Sequence, residues 1–288
     1  MGGKERTAQS RTFIRSGTKD NPHLNEEYEA ALDNMPEHLQ NVRDGVFLTS
    51  FKDADNQLIP SDWIKEAQKR WVDKIPPETP MCAMGVDIAQ GGSDKTVIAM
   101  RYDGWYAKLV EKPGKETPLG SDVAGLIISQ RRHDAAVVLD MGGGYGGATY
   151  EKLTENIGRD SVIGHKGSEA SNKRSKKGKL KFYNKRAEVY YRFKEALDPD
   201  QPGGSRVILP NDPGLFSDLC AIRLDTKIDN IIKLETKENL VKRIGRSPDR
   251  GDAVVMCWSS GLKAENKKTG EQWKQFSRPK VVMSKRYG

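Results

Sequence analysis

No stretch of this 288-residue chain stays apolar for the roughly 18–20 residues that a membrane-spanning helix needs, and its mean hydropathy is −0.71. A membrane span is therefore not expected. The opening residues, Met-Gly-Gly-Lys-Glu-Arg, lack the apolar stretch of a secretory signal. The Met1-Gly2 start of a myristoylation signal is spoiled by Arg6, where Ser or Thr belongs. Cysteine is scarce: Cys82, Cys220 and Cys257 are odd in number, follow no metal-ligand spacing and sit among apolar residues. Buried thiols of a reducing compartment are the expectation. His23, His38, His133 and His165 are scattered and make no zinc pattern. Any metal site here would have to be built from carboxylates.

Charge is plentiful and unbalanced. Lys and Arg number 48 against 40 acidic residues, a net charge of +8, which favours polyanionic partners such as nucleic acid. The excess is local. Lys166, Lys173, Arg174, Lys176, Lys177, Lys179, Lys181, Lys185 and Arg186 follow one another with only Glu169 opposed to them, in a Gly- and Ser-containing stretch that reads as a flexible loop. Such a run suits a phosphate backbone, because Lys and Arg displace its condensed counterions. It equally suits a solvated loop. From Lys263 onward eight basic residues face only Glu265 and Glu271, with Trp273, Phe276 and Tyr287 interleaved, as in a mobile basic tail.

Hydrophobic patterning divides the chain into three zones: 1–75, 76–262 and 263–288. The first is polar, with helices expected over 25–32 and 61–71. Pro76, Pro77 and Pro80 then form a stiff boundary. Beyond them residues 81–89 read as a strand buried on both faces. A return strand is expected over 96–102 and, after the Asp103-Gly104 hairpin signal, a third over 105–110. A helix over 121–131, a strand over 135–140, a helix carrying Tyr150, Leu153 and Ile157, and a strand over 162–164 follow. A helix is expected over 185–197, strand-like pieces over 206–209, 221–225 and 231–235, and a closing helix over 249–261. This order is the layout of an α/β, ribonuclease H-like mixed sheet flanked by helices on both faces.

Four aspartates carry the chemistry. Asp87 ends an otherwise apolar strand, where a carboxylate without a partner is costly to bury. Asp140 ends the apolar run Ala136-Val137-Val138-Leu139, and adjacent strand ends are where ligands gather in open sheets. Asp249 and Asp252, three apart at the start of the last helix, share one face, though either could serve only as a helix cap. An all-carboxylate site suits Mg²⁺ or Mn²⁺, and two such ions about 4 Å apart can drive phosphodiester hydrolysis.

These motifs, taken in order, resemble the nuclease domain of tailed-bacteriophage terminase large subunits. The resemblance lies in Met84-Gly85-Val86-Asp87-Ile88-Ala89 with Gly91-Gly92-Ser93-Asp94-Lys95-Thr96, and in Val138-Leu139-Asp140 with Gly142 and Gly144. It continues through Asn184-Lys185-Arg186-Ala187-Glu188 and Asp249-Arg250-Gly251-Asp252-Ala253. Asp20 to Leu24, Gly45-Val46-Phe47 and Pro60-Ser61-Asp62-Trp63-Ile64 resemble the segment joining a terminase ATPase domain to its nuclease. The resemblance implies a metal-dependent endonuclease that cuts concatemeric double-stranded DNA during genome packaging. Asp87, Asp140, Asp252 and Asp249 would be its catalytic acids and the ligands of two Mg²⁺ or Mn²⁺ ions. It further implies action in the host bacterial cytoplasm at the procapsid, with the portal protein, the small terminase subunit and the ATPase motor as partners. The chain departs from the family in having no Gly-x-x-x-x-Gly-Lys-Ser/Thr phosphate loop. Two alternatives stay open: a nucleotide-binding protein of the actin and Hsp70 type, suggested by the Gly-rich turns after Asp87 and Asp140, and an inactive module that docks DNA or a portal.

Overall fold

The computed structural model describes residues 53–259, apart from 90–93, 145 and 226–229. All of these belong to one compact unit that begins at Asp53. The helix expected over 25–32, the motifs before residue 53 and the basic tail lie outside the described residues.

The sheet is built around β1 (Ala83–Asp87), buried along its whole length. β2 (Lys95–Tyr102) pairs with it antiparallel, then turns at Asp103-Gly104 into β3 (Trp105–Tyr106) and β4 (Val110–Pro113). On its other side β1 pairs parallel with β5 (Ala136–Asp140), which pairs parallel with β6 (Val162–His165). The order β3-β2-β1-β5-β6, with β4 also on β2, is the expected mixed sheet.

Side chains alternate along these strands with the period of two that a pleated strand imposes. Met84, Val86, Ile98 and Met100 face one core, with Val123 and Ile127 of α2 (Gly120–Gln130) and Leu153 of α3 (Gly146–Ile157). Ala83, Val97 and Ala99 face the other. That core holds residues of α1 (Ser61–Lys69), α4 (Lys185–Leu197), α5 (Pro213–Cys220) and α7 (Asp249–Trp258). Leu58, Ile59, Ile64 and Ala67 are fully buried in it, so the segment from residue 58 onward shares the core of the sheet.

The structure departs from the sequence reading in three places. The third strand is two short ones. Between Tyr106 and Val110 the chain takes four steps where β2 takes three, from Arg101 to Ile98, so one extra residue forms a bulge. Of the strand-like pieces after 200, only Ile231–Ile232 forms a named strand, β8, paired with β7 (Lys181–Phe182); the others make isolated bridges. Two further helices appear, α5 and α6 (Lys237–Ile244). Asp212 caps α5 by accepting from the Gly214 and Leu215 N–H groups, with Pro213 in its first turn. Thr236 caps α6, and Gly245 ends it with φ of 75°.

α7 lies directly on β1. A Cβ added at Gly85 would stand 2.1 Å from the Ala253 carbonyl oxygen and 2.6 Å from the Cys257 nitrogen, both backbone atoms of α7. A methyl group there must push the helix off the strand, at a cost of about 1–3 kcal/mol or more. Gly85→Ala is expected to lower the melting temperature by several degrees in a thermal melt, since about 1 kcal/mol moves a domain of this size by roughly 2–4 °C.

Candidate functional site

Parallel pairing fixes the first two acids. Val86 stands opposite Leu139, so Asp87 and Asp140, the next residue of each strand, end side by side at one edge of the sheet. Asp140 also accepts the Gly142 N–H at 2.8 Å, holding the turn after β5. α7 brings Asp249 and Asp252 to the same edge in its first turn.

The start of α7 is held from outside the helix. Asp218 of α5, fully buried, accepts the N–H groups of Arg250 at 3.0 Å and Gly251 at 3.1 Å and is ion-paired with Arg246. Burial raises the Asp218 carboxyl to about 6, against the pull of Arg246. Arg250 grips Glu111 through two bonds, at 2.6 and 2.9 Å, tying α7 to β4, which pairs with β2.

The four acids differ in what surrounds them. The Tyr190 hydroxyl of α4 donates to Asp252 Oδ1 at 2.6 Å, and the Lys237 ammonium donates to Oδ2 at 3.1 Å. Burial works to raise the Asp252 carboxyl, but Lys237, Arg186 and the Tyr190 bond outweigh it and hold it below its ordinary value. Asp87 is the reverse case. Its Oδ2 is buried and accepts no hydrogen bond among the described residues. Burial, opposed by Lys237 and reinforced by Asp252, Asp140 and Asp249, lifts it well above the usual carboxylate range. Burial also raises Asp249, and it lowers His165, which is paired with Asp140 across β5 and β6. Lys237 is driven up by Asp252 first, with Asp87 and Asp140 adding to it.

These groups line a cleft of about 930 Å³ that includes all four aspartates, His165 and Lys237. Among the described residues no three acids are gathered tightly enough to hold one metal ion as they stand. The cation they face is the Lys237 ammonium. The donor set nevertheless fits a hard divalent cation: every acid offers carboxylate oxygen, and the buried Asp87 Oδ2 is an acceptor left without a partner among the described residues.

The nine basic residues do not act as one loop. Arg186 lines the acid cleft, and Lys185 beside it is paired with Glu169. The Arg186 guanidinium donates to the Glu235 carbonyl at 2.9 Å, while its Nε and second amino nitrogen are buried without a partner among the described residues. Lys166 adjoins Gly167, which lines the same cleft. Lys173, Lys177 and Lys179 are exposed, Lys181 lies in β7, and Arg174 and Lys176 line a different cleft. Tyr190, Lys237 and Asp218 escaped the sequence reading. Lys237 did leave a signal, because a cation in the first turn of a helix opposes the dipole and calls for an acid nearby.

The sheet order and flanking helices define a ribonuclease H-like α/β fold, and the same fold occurs among nuclease domains of phage large terminase subunits. The nuclease domain of the large terminase subunit gp2 of bacterial virus Sf6 superposes with a TM-score of 0.54 at 20% identity, covering 70% of this chain and 97% of that one. A calcium-bound point mutant of gp2c from the large terminase subunit of bacteriophage Sf6 gives 0.54 at 19% identity, over 70% and 98%. A mutant of the Sf6 nuclease domain with manganese and β-thujaplicinol gives 0.53 at 20%, over 70% and 97%. No family model and no curated protein matches the chain by sequence. The chain thus has the fold of the nuclease domains of phage large terminase subunits.

The raised Asp87 carboxyl makes a prediction for the metal-free protein. An acid whose folded value is raised stabilises the fold while protonated, and that contribution is lost as pH climbs from its ordinary value near 3.8 through the raised one. Asp87→Asn removes the penalty. Its melting temperature in EDTA should exceed that of the parent at pH 8, with the gap narrowing toward pH 4. A gap that stays constant with pH would contradict the assignment.

Proposed function

We propose that this chain is a metal-dependent endonuclease that cuts double-stranded DNA during viral genome packaging. The observation that carries the reading is the convergence of Asp87, Asp140, Asp249 and Asp252 on one edge of the sheet, with Asp87 Oδ2 buried and unpartnered. The fold supports it, being shared with phage terminase nucleases.

Asp87, Asp140 and Asp252, with Asp249 beside them, would hold Mg²⁺ or Mn²⁺, two ions in the full site. Such ions, when bound, activate a water for attack on a phosphodiester and stabilise the leaving oxygen. The remaining work falls to the chain. Tyr190 and Lys237 fix the orientation and charge of Asp252. Arg186, which lines the same cleft, brings a guanidinium charge that favours a phosphate there. Lys166 and Lys185 add positive charge at its edge, and the exposed Lys173, Lys177 and Lys179 extend that charge outward. On this reading the partners are double-stranded DNA, the portal protein, the small terminase subunit and the ATPase motor. The setting is the host bacterial cytoplasm at the procapsid.

Plasmid cleavage tests the proposal. Nicking and linearisation should require Mg²⁺ or Mn²⁺, stop in EDTA, and disappear in Asp87→Ala and Asp140→Ala; cutting that persists in chelator would overturn it. Tyr190→Phe should still cut at high metal, with the half-maximal metal concentration raised roughly 10-fold, because it removes only a bond that orients a ligand.

A further inference from the structure

A second cleft, of about 560 Å³, lies at the opposite end of the sheet. It shares no lining residue with the acid cleft. Asp87 pairs with Val97 near the start of β2, whereas the second cleft is lined by Asp103 and Gly104, just past the end of β2. α7 spans the separation, with Asp249 in its first turn at one cleft and Trp258 at the other, roughly 13 Å apart at 1.5 Å per residue.

Four cations from three parts of the chain meet there: Arg174 and Lys176 from the basic run, Arg192 from α4, and Arg206. Only two carboxylates, Asp103 and Glu195, stand among them. Glu195 already accepts the Lys176 backbone N–H at 2.8 Å. Arg192 has Glu188 at 3.4 Å. Arg174, Lys176 and Arg206 make no ion pair among the described residues. Arg174 reaches a carbonyl at 3.4 Å and Lys176 the Gln201 side-chain oxygen at 3.0 Å, both neutral acceptors. Local positive charge without compensation is what draws a polyanion.

The cations are mounted on fixed backbone. Ser175, buried between Arg174 and Lys176, closes a turn by donating its N–H to the Leu180 carbonyl, while its hydroxyl accepts the Leu180 N–H. On the facing side Gln201 and Ser205 both donate to the Ala196 carbonyl near the end of α4, pinning the loop that carries Arg206. Trp258 and Pro202 supply an apolar wall.

We propose that this second cleft binds single-stranded DNA, its arginines and lysine on the phosphates and its apolar wall against a sugar or base. The volume is that of a small-ligand pocket, on the scale of a nucleotide or two. A cationic rim beside an aromatic wall is the usual combination for unpaired strands.

The test is fluorescence anisotropy of a labelled oligothymidylate of about eight nucleotides, titrated with the full chain in EDTA. Because nothing is cut under these conditions, a chain lacking nuclease activity would still give a valid result. The double variant Arg192→Ala/Arg206→Ala changes two side chains that reach solvent, and a thermal melt checks that it stays folded. It should bind at least about fivefold more weakly, with a log–log salt slope shallower by about 1.4, at roughly 0.7 per lost phosphate contact. Unchanged affinity and slope would overturn the proposal. So would an equal loss for a duplex of the same length, which would mark a surface that does not distinguish single strands.

Discussion

The placement of α7 on β1 governs the rest of this structure. The helix touches the strand at Gly85, where no side chain intervenes, and both of its ends meet a fully buried charge of the favoured sign. Asp218 takes N–H groups at the start. Arg101 of β2 donates to the Cys257 carbonyl at 3.2 Å near the end and lies 4.8 Å over the Trp258 ring. Helix ends leave backbone groups unpaired, positive at the N-terminus and negative at the C-terminus. Each buried charge therefore satisfies groups the helix could not satisfy itself, and the helix in turn compensates a charge that would be costly to bury alone. Gly85 sets how near α7 stands to the sheet, and the two charges set where it lies along its own axis. The position of Asp252 follows from both.

That placement sorts the acids by their partners. Asp252 arrives beside a tyrosine hydroxyl and a lysine and keeps its charge. Asp87, at the end of β1 in the same cleft, has an Oδ2 that accepts no hydrogen bond among the described residues, and burial pushes it the other way despite Lys237. Four carboxylates at one edge repel one another, and in the structure as it stands Lys237, with Arg186, offsets them. The position of Lys237 is itself strained electrostatically, in the first turn of α6, where the helix dipole disfavours a cation. The field of Asp252, Asp87 and Asp140 nevertheless outweighs burial and drives the ammonium up. A divalent cation entering this cleft would compete with a resident positive charge as well as with water.

Much of the framework was legible in the sequence because the relevant signals are local. The apolar runs ending in Asp87 and Asp140, the Asp103-Gly104 turn and the bounds of α4 after Asn184 all depend on residues a few positions apart. What failed depended on distant ones. The bulge between β3 and β4 accompanies a bridge from Trp105 to Ile208, about a hundred positions away. The β-branched pieces after 200 look like strands, yet all but Ile231–Ile232 find only isolated bridges, and that pattern masks the capping residues of α5 among them and of α6 just after them. Tyr190 reads as one more apolar position of α4; only the packing of α4 against α7 turns its hydroxyl toward Asp252.

The basic run fails as a unit for the same reason, and the failure is informative. Nine like charges in succession suggest one flexible surface, but Ser175 folds the run back on itself and Asn184 caps α4 immediately after it, accepting the Ala187 N–H at 2.9 Å. Arg174 and Lys176 are thereby turned to the far end of α4 and Arg186 to its start. α4 is 13 residues long, about 20 Å. Two charge clusters that far apart exceed the Debye length of about 8 Å at physiological salt, so across solvent each acts on its own surroundings. Arg186 lies among carboxylates and helps to hold Asp252 below its ordinary value. Arg174, Lys176 and Arg206 make no ion pair among the described residues, although Asp103 and Glu195 line the same cleft. The net charge of +8 is therefore a poor guide to where an anion would bind, because the same run supplies one cluster set among carboxylates and another with few of them.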